Sequence, residues 1–350
     1  MTPDSPDLSV VIPVFNGGRT IHRTLDSLLA AVRNVRWELL VMDDGSTDNT
    51  AKLVSRYVKR HPFIRLEKRK QNRGAGFTRN QSMALARGRY LWFVDADDEI
   101  PSRAFDDIDA ALLNQDIDVL IFDYDLRLNN KISPMFNLDE ALFARFLKTD
   151  FTIADAPEIL TSSHTPCNKF FRAQFLLEND IRFLEDVSHE DVPFHIKALC
   201  LASRMRKRRG SLFLYCLDNS VNSRQKDWRL AALRAFAECE TFLRSFQGMN
   251  AGLMTAWRVF KANHLFWVYH NASEALQPEI RRYNDDFLAS LPAVELPGFI
   301  HHPFLRRDVM RHALRLRGIS PQLLKHASPL MKLLDFFRAR SLNLKQRSFS

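Results

Sequence analysis

Short apolar runs alternate with amphipathic stretches along the first 220 residues. Leu8-Ser9-Val10-Val11-Ile12-Pro13-Val14 is rich in β-branched residues and ends at Phe15-Asn16-Gly17-Gly18, which predicts a strand closed by a turn. Ile21, Leu25, Leu28, Leu29 and Val32 recur at helical spacing, so residues 20–32 are expected to be a helix. A second strand over 37–42 runs into Asp43-Asp44-Gly45-Ser46-Thr47-Asp48-Asn49-Thr50, a turn that caps a helix carrying Leu53, Val54, Tyr57 and Val58. Next come a shorter strand over 63–66, a basic glycine-containing loop over 68–76 and a helix over 77–87, stopped at Gly88. Tyr90-Leu91-Trp92-Phe93-Val94 is apolar throughout and predicts a strand buried on both faces. A helix over 102–113 and a strand over 119–122 are expected beyond it.

Strands alternating with helices through short polar loops predict an α/β fold, a mostly parallel sheet with helices on both faces. Residues 124–165 are less regular, and a helix near Leu138–Leu147 reads as an insertion or lid. A second pattern follows: Asn168-Lys169-Phe170-Phe171-Arg172, then Ile181-Arg182-Phe183, His189-Glu190-Asp191 opening a helix over 192–202, a basic turn at 204–209 and a strand over 212–217. Past Trp228 the period is almost entirely helical, with breaks at Pro292, Pro297, Pro303 and Pro321.

Polar clusters fall at the ends of three predicted strands: Phe15-Asn16, Asp43-Asp44 and Asp95-Ala96-Asp97-Asp98. Ligands of open α/β sheets sit outside the carboxyl ends of the strands, so the three clusters converge on one rim. Three acids within four residues repel one another unless a cation, or a ligand carrying one, neutralises them. A solvated turn capping the next helix is the plainer reading of that stretch, and Asp98 fits it as well as it fits a supporting place near a cation.

Composition narrows the class. At 350 residues, 46% hydrophobic and 26% charged, the chain is an ordinary globular sequence. No run approaches the ~20 apolar residues of a membrane span, and the N-terminus lacks a basic-then-apolar leader. Cys167, Cys200, Cys216 and Cys239 have no metal-ligand spacing and read as reduced core residues of a cytoplasmic protein. The net charge of +9 is carried by residues 301–350, where 11 Lys/Arg face Asp308 and Asp335 (11 − 2 = +9), leaving residues 1–300 formally neutral.

Val10 to Asn16, Val41 to Asp48 and Phe93 to Asp98 together resemble the nucleotide-sugar half of family 2 glycosyltransferases, which have the GT-A fold. Asn168-Lys169-Phe170-Phe171-Arg172, His189-Glu190-Asp191 and Asn219-Ser220-Val221-Asn222-Ser223-Arg224 resemble the acceptor half of bacterial members that build surface polysaccharides. The motifs stand in the family's order from Leu8 to Arg224. The resemblance implies a GT-A domain over 1–225, divided into a nucleotide-sugar half at 8–123 and an acceptor half at 124–225, and a helical C-terminal region with a basic tail over 226–350. It implies an inverting, metal-dependent enzyme that moves a sugar from a nucleotide-diphospho-sugar to a glycan or lipid-linked acceptor. A catalytically silent nucleotide-sugar-binding or scaffold protein on the same fold is the alternative.

By the same resemblance Asp97 holds Mg2+ or Mn2+ directly, with Asp95 directed to the ribose or to water on the metal and Ala96 between them at the nucleotide-sugar. The Pro13 backbone and the Phe15 ring meet the base, although Phe15 also reads as a core aromatic. Asp43 or Asp44 accepts from the base imide while the other caps its turn. Arg79 offsets diphosphate charge, and Arg224 folds back over the nucleotide, with Lys169 and Arg172 as further cations in reach. Asp191 is the base for the acceptor hydroxyl and Glu190 the next candidate.

Other chemistries fit less well. Phosphatases of the haloacid dehalogenase type carry Asp-x-Asp on the first strand, and a dinucleotide fold needs Gly-x-Gly-x-x-Gly after it, where this chain has Asn16-Gly17-Gly18-Arg19. The sequence over 304–347 mixes Arg and Lys with Leu, Val and Phe. It reads either as a peripheral contact with the anionic inner face of the cell membrane or as helices packed on the protein. No nucleic-acid module accompanies the charge.

Overall fold

A computed structural model describes residues 5–129, 131–134, 149–217, 228–293, 295–300 and 305–316. The chain divides into two compact units, Met1–Met249 and Asn250–Ser350.

The first unit alternates β1 (Leu8–Val14), α1 (Ile21–Ala31), β2 (Trp37–Asp43), α2 (Thr50–Val58), β3 (Ile64–Lys68), α3 (Gly74–Leu85) and β4 (Tyr90–Phe93). Strands β3, β2, β1 and β4 lie side by side, all parallel, so their carboxyl ends share one rim. After the four-residue α4 (Ala110–Leu113), β5 (Val119–Leu128) turns back through β6 (Lys131–Pro134). Strand β7 (Lys169–Arg172) inserts antiparallel between β4 and β5, and β8 (Met205–Cys216) runs parallel to β5. Both halves of the expected domain therefore build one sheet, with four of its seven pairings parallel. Helices α5 (Ala173–Glu178), α6 (Asp191–Leu201) and α7 (Trp228–Ser245) complete the unit. Lys197 on α6 donates to Glu238 on α7 at 2.8 Å, which helps hold α7 in this unit.

The strands are apolar on both faces because both are covered. Val10, Ile12, Leu39, Val41, Tyr90 and Trp92 belong to one core. Phe93, from the opposite face of β4, meets Phe183 and Phe194 at ring-centroid distances of 5.1 and 6.1 Å. Fully burying each such side chain contributes roughly 1.5–3 kcal/mol.

Two expectations fail locally. Residues 102–107 are turns, and the expected helix over 102–113 survives only as α4. Asp109 begins it anew: its carboxylate accepts from Leu112 N at 2.8 Å, as short acidic side chains favour caps over helix interiors. Within the basic run 204–209, all but Arg204 is strand rather than turn. Arg206 pairs with Asp150 and Lys207 with Asp123, so its charges are matched while its backbone joins β5. The expected Leu138–Leu147 helix lies outside the described residues.

The second unit holds α8 (Ala251–Asn271), α9 (Gln277–Ser290), α10 (Leu296–Ile300) and α11 (Arg307–Leu316). No helix among the described residues is long and apolar enough to cross a membrane.

Candidate functional site

The shared rim assembles most of the expected residues. β1 ends one residue before Phe15, whose ring is 48% exposed, which removes the core-aromatic reading. Asn16 follows with φ 51 and accepts from Thr47 N at 2.9 Å, while its own N–H donates to Ser46 Oγ at 2.9 Å. The β1 and β2 loops are thereby fastened together beneath that ring. Pro13 precedes it within β1, paired with Met42.

Asp43 and Asp44 divide their tasks. Asp43 caps its own turn, accepting from Ser46 N at 2.9 Å. Asp44 faces the basic loop: it accepts from Arg73 N at 3.0 Å and Gly74 N at 2.8 Å and lies 3.9 Å from the Arg69 guanidinium.

The acidic loop after β4 is held from α1, where Thr24 Oγ1 donates to the Ala96 and Asp98 carbonyls at 3.0 and 2.7 Å. Burial, with the Asp95 charge beside it, pushes the Asp97 carboxyl up to about 7. Burial and both neighbouring acids raise Asp98 well above the usual carboxylate range. Asp98 is 1% exposed; its Oδ1 accepts from Cys216 N at 3.1 Å, and its Oδ2 has no hydrogen-bond partner among the described residues. An orphaned carboxylate oxygen among acids that repel one another is the environment a divalent cation relieves. Among the described residues, the group placed to hold an ion is Asp95, Asp98 and Cys167, their ligand atoms all within 4.8 Å of one another. Asp97 lies outside that group.

Arg79 joins the two halves of the site. It is 5% exposed, its Nη2 donates to Asp95 at 2.8 Å, its Nη1 donates to Glu190 at 2.7 Å, and its guanidinium lies 5.3 Å from the Phe183 ring centroid. Gly76 lets α3 approach closely, since a Cβ there would stand 2.1 Å from the Leu184 carbonyl. Asn80, one turn on, donates to the Phe183 carbonyl and accepts from Phe183 N, both at 2.9 Å.

Asp191, the first residue of α6, is partly buried, and that burial raises its carboxyl to about 6. Glu190 is raised too, by burial against the pull of Arg79. His164 Nε2 lies 3.8 Å from Asp191 Oδ2; burial, aided by the Lys169 ammonium, pushes its imidazole down to about 4, so it is neutral near pH 7. Nothing in the local pattern around His164 marks it in the sequence.

Two expected cations are occupied elsewhere. Lys169 is buried, donating to the Ser163 and Thr165 carbonyls at 2.6 and 2.9 Å and to Asn168 Oδ1 at 2.7 Å. Arg172 pairs with Tyr90 in register, at the end of β4 remote from the acidic loop, and its side chain binds Asp118 at 2.6 Å. The antiparallel direction of β7 carries it there. Arg224 lies outside the described residues.

Residues 9–176 match the model of glycosyl transferase family 2. The chain carries a family 2 glycosyltransferase domain. Among similar proteins are the uncharacterized glycosyltransferase YibD of Escherichia coli, 27% identical over 62% of this chain and 63% of that protein, and the poly(ribitol-phosphate) beta-N-acetylglucosaminyltransferase TarP of Staphylococcus aureus, 27% identical over 50% and 52%. The chain thus spans under two thirds of the length of either relative. Residues 1–349 of S. aureus TarS, solved in complex with UDP-GlcNAc, superpose with a TM-score of 0.65 at 21% identity, covering 90% of this chain and 88% of that one. That likeness establishes the GT-A fold.

Proposed function

We propose that the domain transfers a sugar, with inversion, from a nucleotide-diphospho-sugar to a glycan or lipid-linked acceptor in surface-polysaccharide synthesis. The observation that carries the reading is the Arg79 bridge, which sets the donor-side acid Asp95 and the acceptor-side Glu190 on one guanidinium, with Asp191 next in the chain. Donor binding and proton removal then occur within one rim.

Phe15 stacks on the base, with Pro13 behind it. Asp44, which faces the loop rather than its own turn, accepts the base imide N–H, and Asp43 supports that turn. Asp95, Ala96 and Asp97 line the ribose and diphosphate. A divalent cation, Mg2+ or Mn2+, would be held by Asp97 and Asp95 and would supply positive charge where the leaving diphosphate gains negative charge. Asp191 takes the acceptor hydroxyl proton as that oxygen bonds the anomeric carbon and the bond to the diphosphate breaks. Arg79 holds Glu190 and Asp95 apart from each other's charge, and Arg224 closes over the nucleotide.

TarS was solved with UDP-GlcNAc, so uridine diphospho-sugars are the first donors to test. A lipid-linked acceptor would call for the enzyme to work at the cytoplasmic face of the membrane, with the basic tail within 304–347 as the contact. The test is a donor panel with purified protein and Mn2+ or Mg2+, scoring release of nucleoside diphosphate with and without glycan acceptors. Donor binding with no release under any acceptor favours the silent binding protein, and no binding at all rejects both.

A further inference from the structure

The loop over 162–165 is built around a buried cation. Lys169 Nζ donates to the Ser163 and Thr165 carbonyls at 2.6 and 2.9 Å, the two carbonyls that flank His164. Ser163 Oγ accepts from Tyr124 Oη at 3.3 Å, and Thr165 Oγ1 accepts from Cys167 N at 3.2 Å, so both neighbours of His164 are tied down. The imidazole they present stands beside Asp191, with Nε2 3.8 Å from Oδ2 and the two side chains 34% and 21% exposed. That separation is too long for a hydrogen bond between them. It suits a single oxygen lying between them, ~2.8–3.0 Å from each. Burial, and then the Lys169 ammonium, keeps the imidazole neutral, so one ring nitrogen is a donor and the other an acceptor. The other groups facing the pair are Glu190 and His195 beside Asp191 in the chain, Arg79 of α3 and Asp95 after β4.

We propose that His164 and Asp191 grip the attacking acceptor hydroxyl between them, His164 Nε2–H donating to the oxygen while Asp191 accepts its proton. This role rests on the transfer reading above, with Asp191 as the base. The oxygen then has its proton on Asp191, one lone pair on the imidazole and the other free for the anomeric carbon. As the O–H bond breaks, its proton goes to Asp191 and its electron pair forms the new O–C bond. The bond to the diphosphate breaks with its electron pair on the diphosphate, and the imidazole keeps its own proton. Two hydrogen bonds at the nucleophile fix its direction, where Asp191 alone would leave it free to turn. A charged imidazole would pair with Asp191 and occupy the carboxylate the hydroxyl needs. Lys169, pinned beside the loop, opposes that charge.

The test compares His164→Gln with His164→Asn in the full-length protein, with circular dichroism melts to establish that each folds. The Gln amide nitrogen reaches the position of Nε2 and can donate there, while the Asn amide falls short of it. With the donor and acceptor that turn over in the panel, His164→Asn should lower acceptor kcat/KM ~10-fold or more and His164→Gln should keep most of it. Donor affinity by calorimetry should be equal in all three proteins, and the acid limb of the pH profile should stay at about 6. Equal losses in the two variants, or an acid limb that moves with either, overturns the proposal. His164 would then act through the shape of its loop or the charge of the base. Nitrogen-15 spectra of histidine-labelled protein read the same arrangement without turnover, with His164→Gln identifying the signals. His164 should be the neutral Nε2–H form at pH 7, and its signals should shift in Asp191→Asn. An imidazolium, the Nδ1–H form, or signals indifferent to Asp191→Asn in an active enzyme overturns the role of His164 alone. Failure of every donor removes the transfer reading and the bound hydroxyl with it.

Discussion

Asp191 works as a base only when ionised, and burial raises its carboxyl to about 6 from an ordinary value of 3.8. Protonation therefore disables it at a pH where an exposed aspartate is still charged. Transfer is expected to rise with pH through about 6, which a kcat/KM profile reads directly. Asp191→Asn should lower turnover ~10²–10⁴-fold while calorimetry shows donor binding unchanged; near-normal turnover reassigns the base to Glu190. Arg79 tests a different link. Arg79→Ala leaves Glu190 and the partly exposed Asp95 without their shared cation and should cost ~1–3 kcal/mol in urea unfolding, below the cost of breaking a fully buried pair and above that of a surface arginine. Unchanged stability would mean that Asp95 and Glu190 do not need their bridge. The acids were legible in the sequence because Asp-x-Asp and His-Glu-Asp are contiguous. The bridge was not, because the partners of Arg79 lie 16 and 111 residues away.

Helix α3 and the segment over 181–190 form the next level, since their contact brings Arg79 to Glu190. Gly76→Ala puts a methyl 2.1 Å from the Leu184 carbonyl, so backbone must move, at a cost of ~1–3 kcal/mol. Asn80→Ala strips the partners from Phe183 N and its carbonyl, at a similar cost. Both should speed hydrogen exchange at Phe183 and leave exchange in the β1–β2 pair unchanged; unaltered exchange at Phe183 would show that other contacts hold the segment. Elements with a strong apolar period, β1, α1, β2 and β4, appear where the pattern puts them. The misreadings fall where local or tertiary pairing decides: the Arg-rich start of β8 is strand because β5 and two aspartates receive it, and the helix expected from 102 begins only at Ala110, where the Asp109 side chain caps it.

For the molecule as a whole, the question is what the +9 of residues 301–350 does for a body of net zero charge. Part of the expected membrane segment is already committed: Leu305, Val309, Met310 and Ala313 are buried within the second unit, and His312 meets Asp285 at 2.6 Å. Apolar residues sealed in a core cannot insert into a bilayer, so these four are committed to packing, while Leu316 at the end of α11 is 40% exposed. Membrane contact is then expected chiefly from 330–347, where Lys332, Arg338, Arg340, Lys345 and Arg347 alternate with Leu330, Leu333, Leu334, Phe336 and Phe337. Each cation near an anionic leaflet contributes ~1 kcal/mol, so five together change partitioning by about 4 × 10³-fold at low salt. Full-length protein is expected to sediment with phosphatidylserine-containing vesicles at low salt and to be released as salt rises. A variant with those five residues changed to Gln should stay in the supernatant. If both proteins pellet alike, or if neither does, the charge serves some other partner and the acceptor must reach the site without help from the tail.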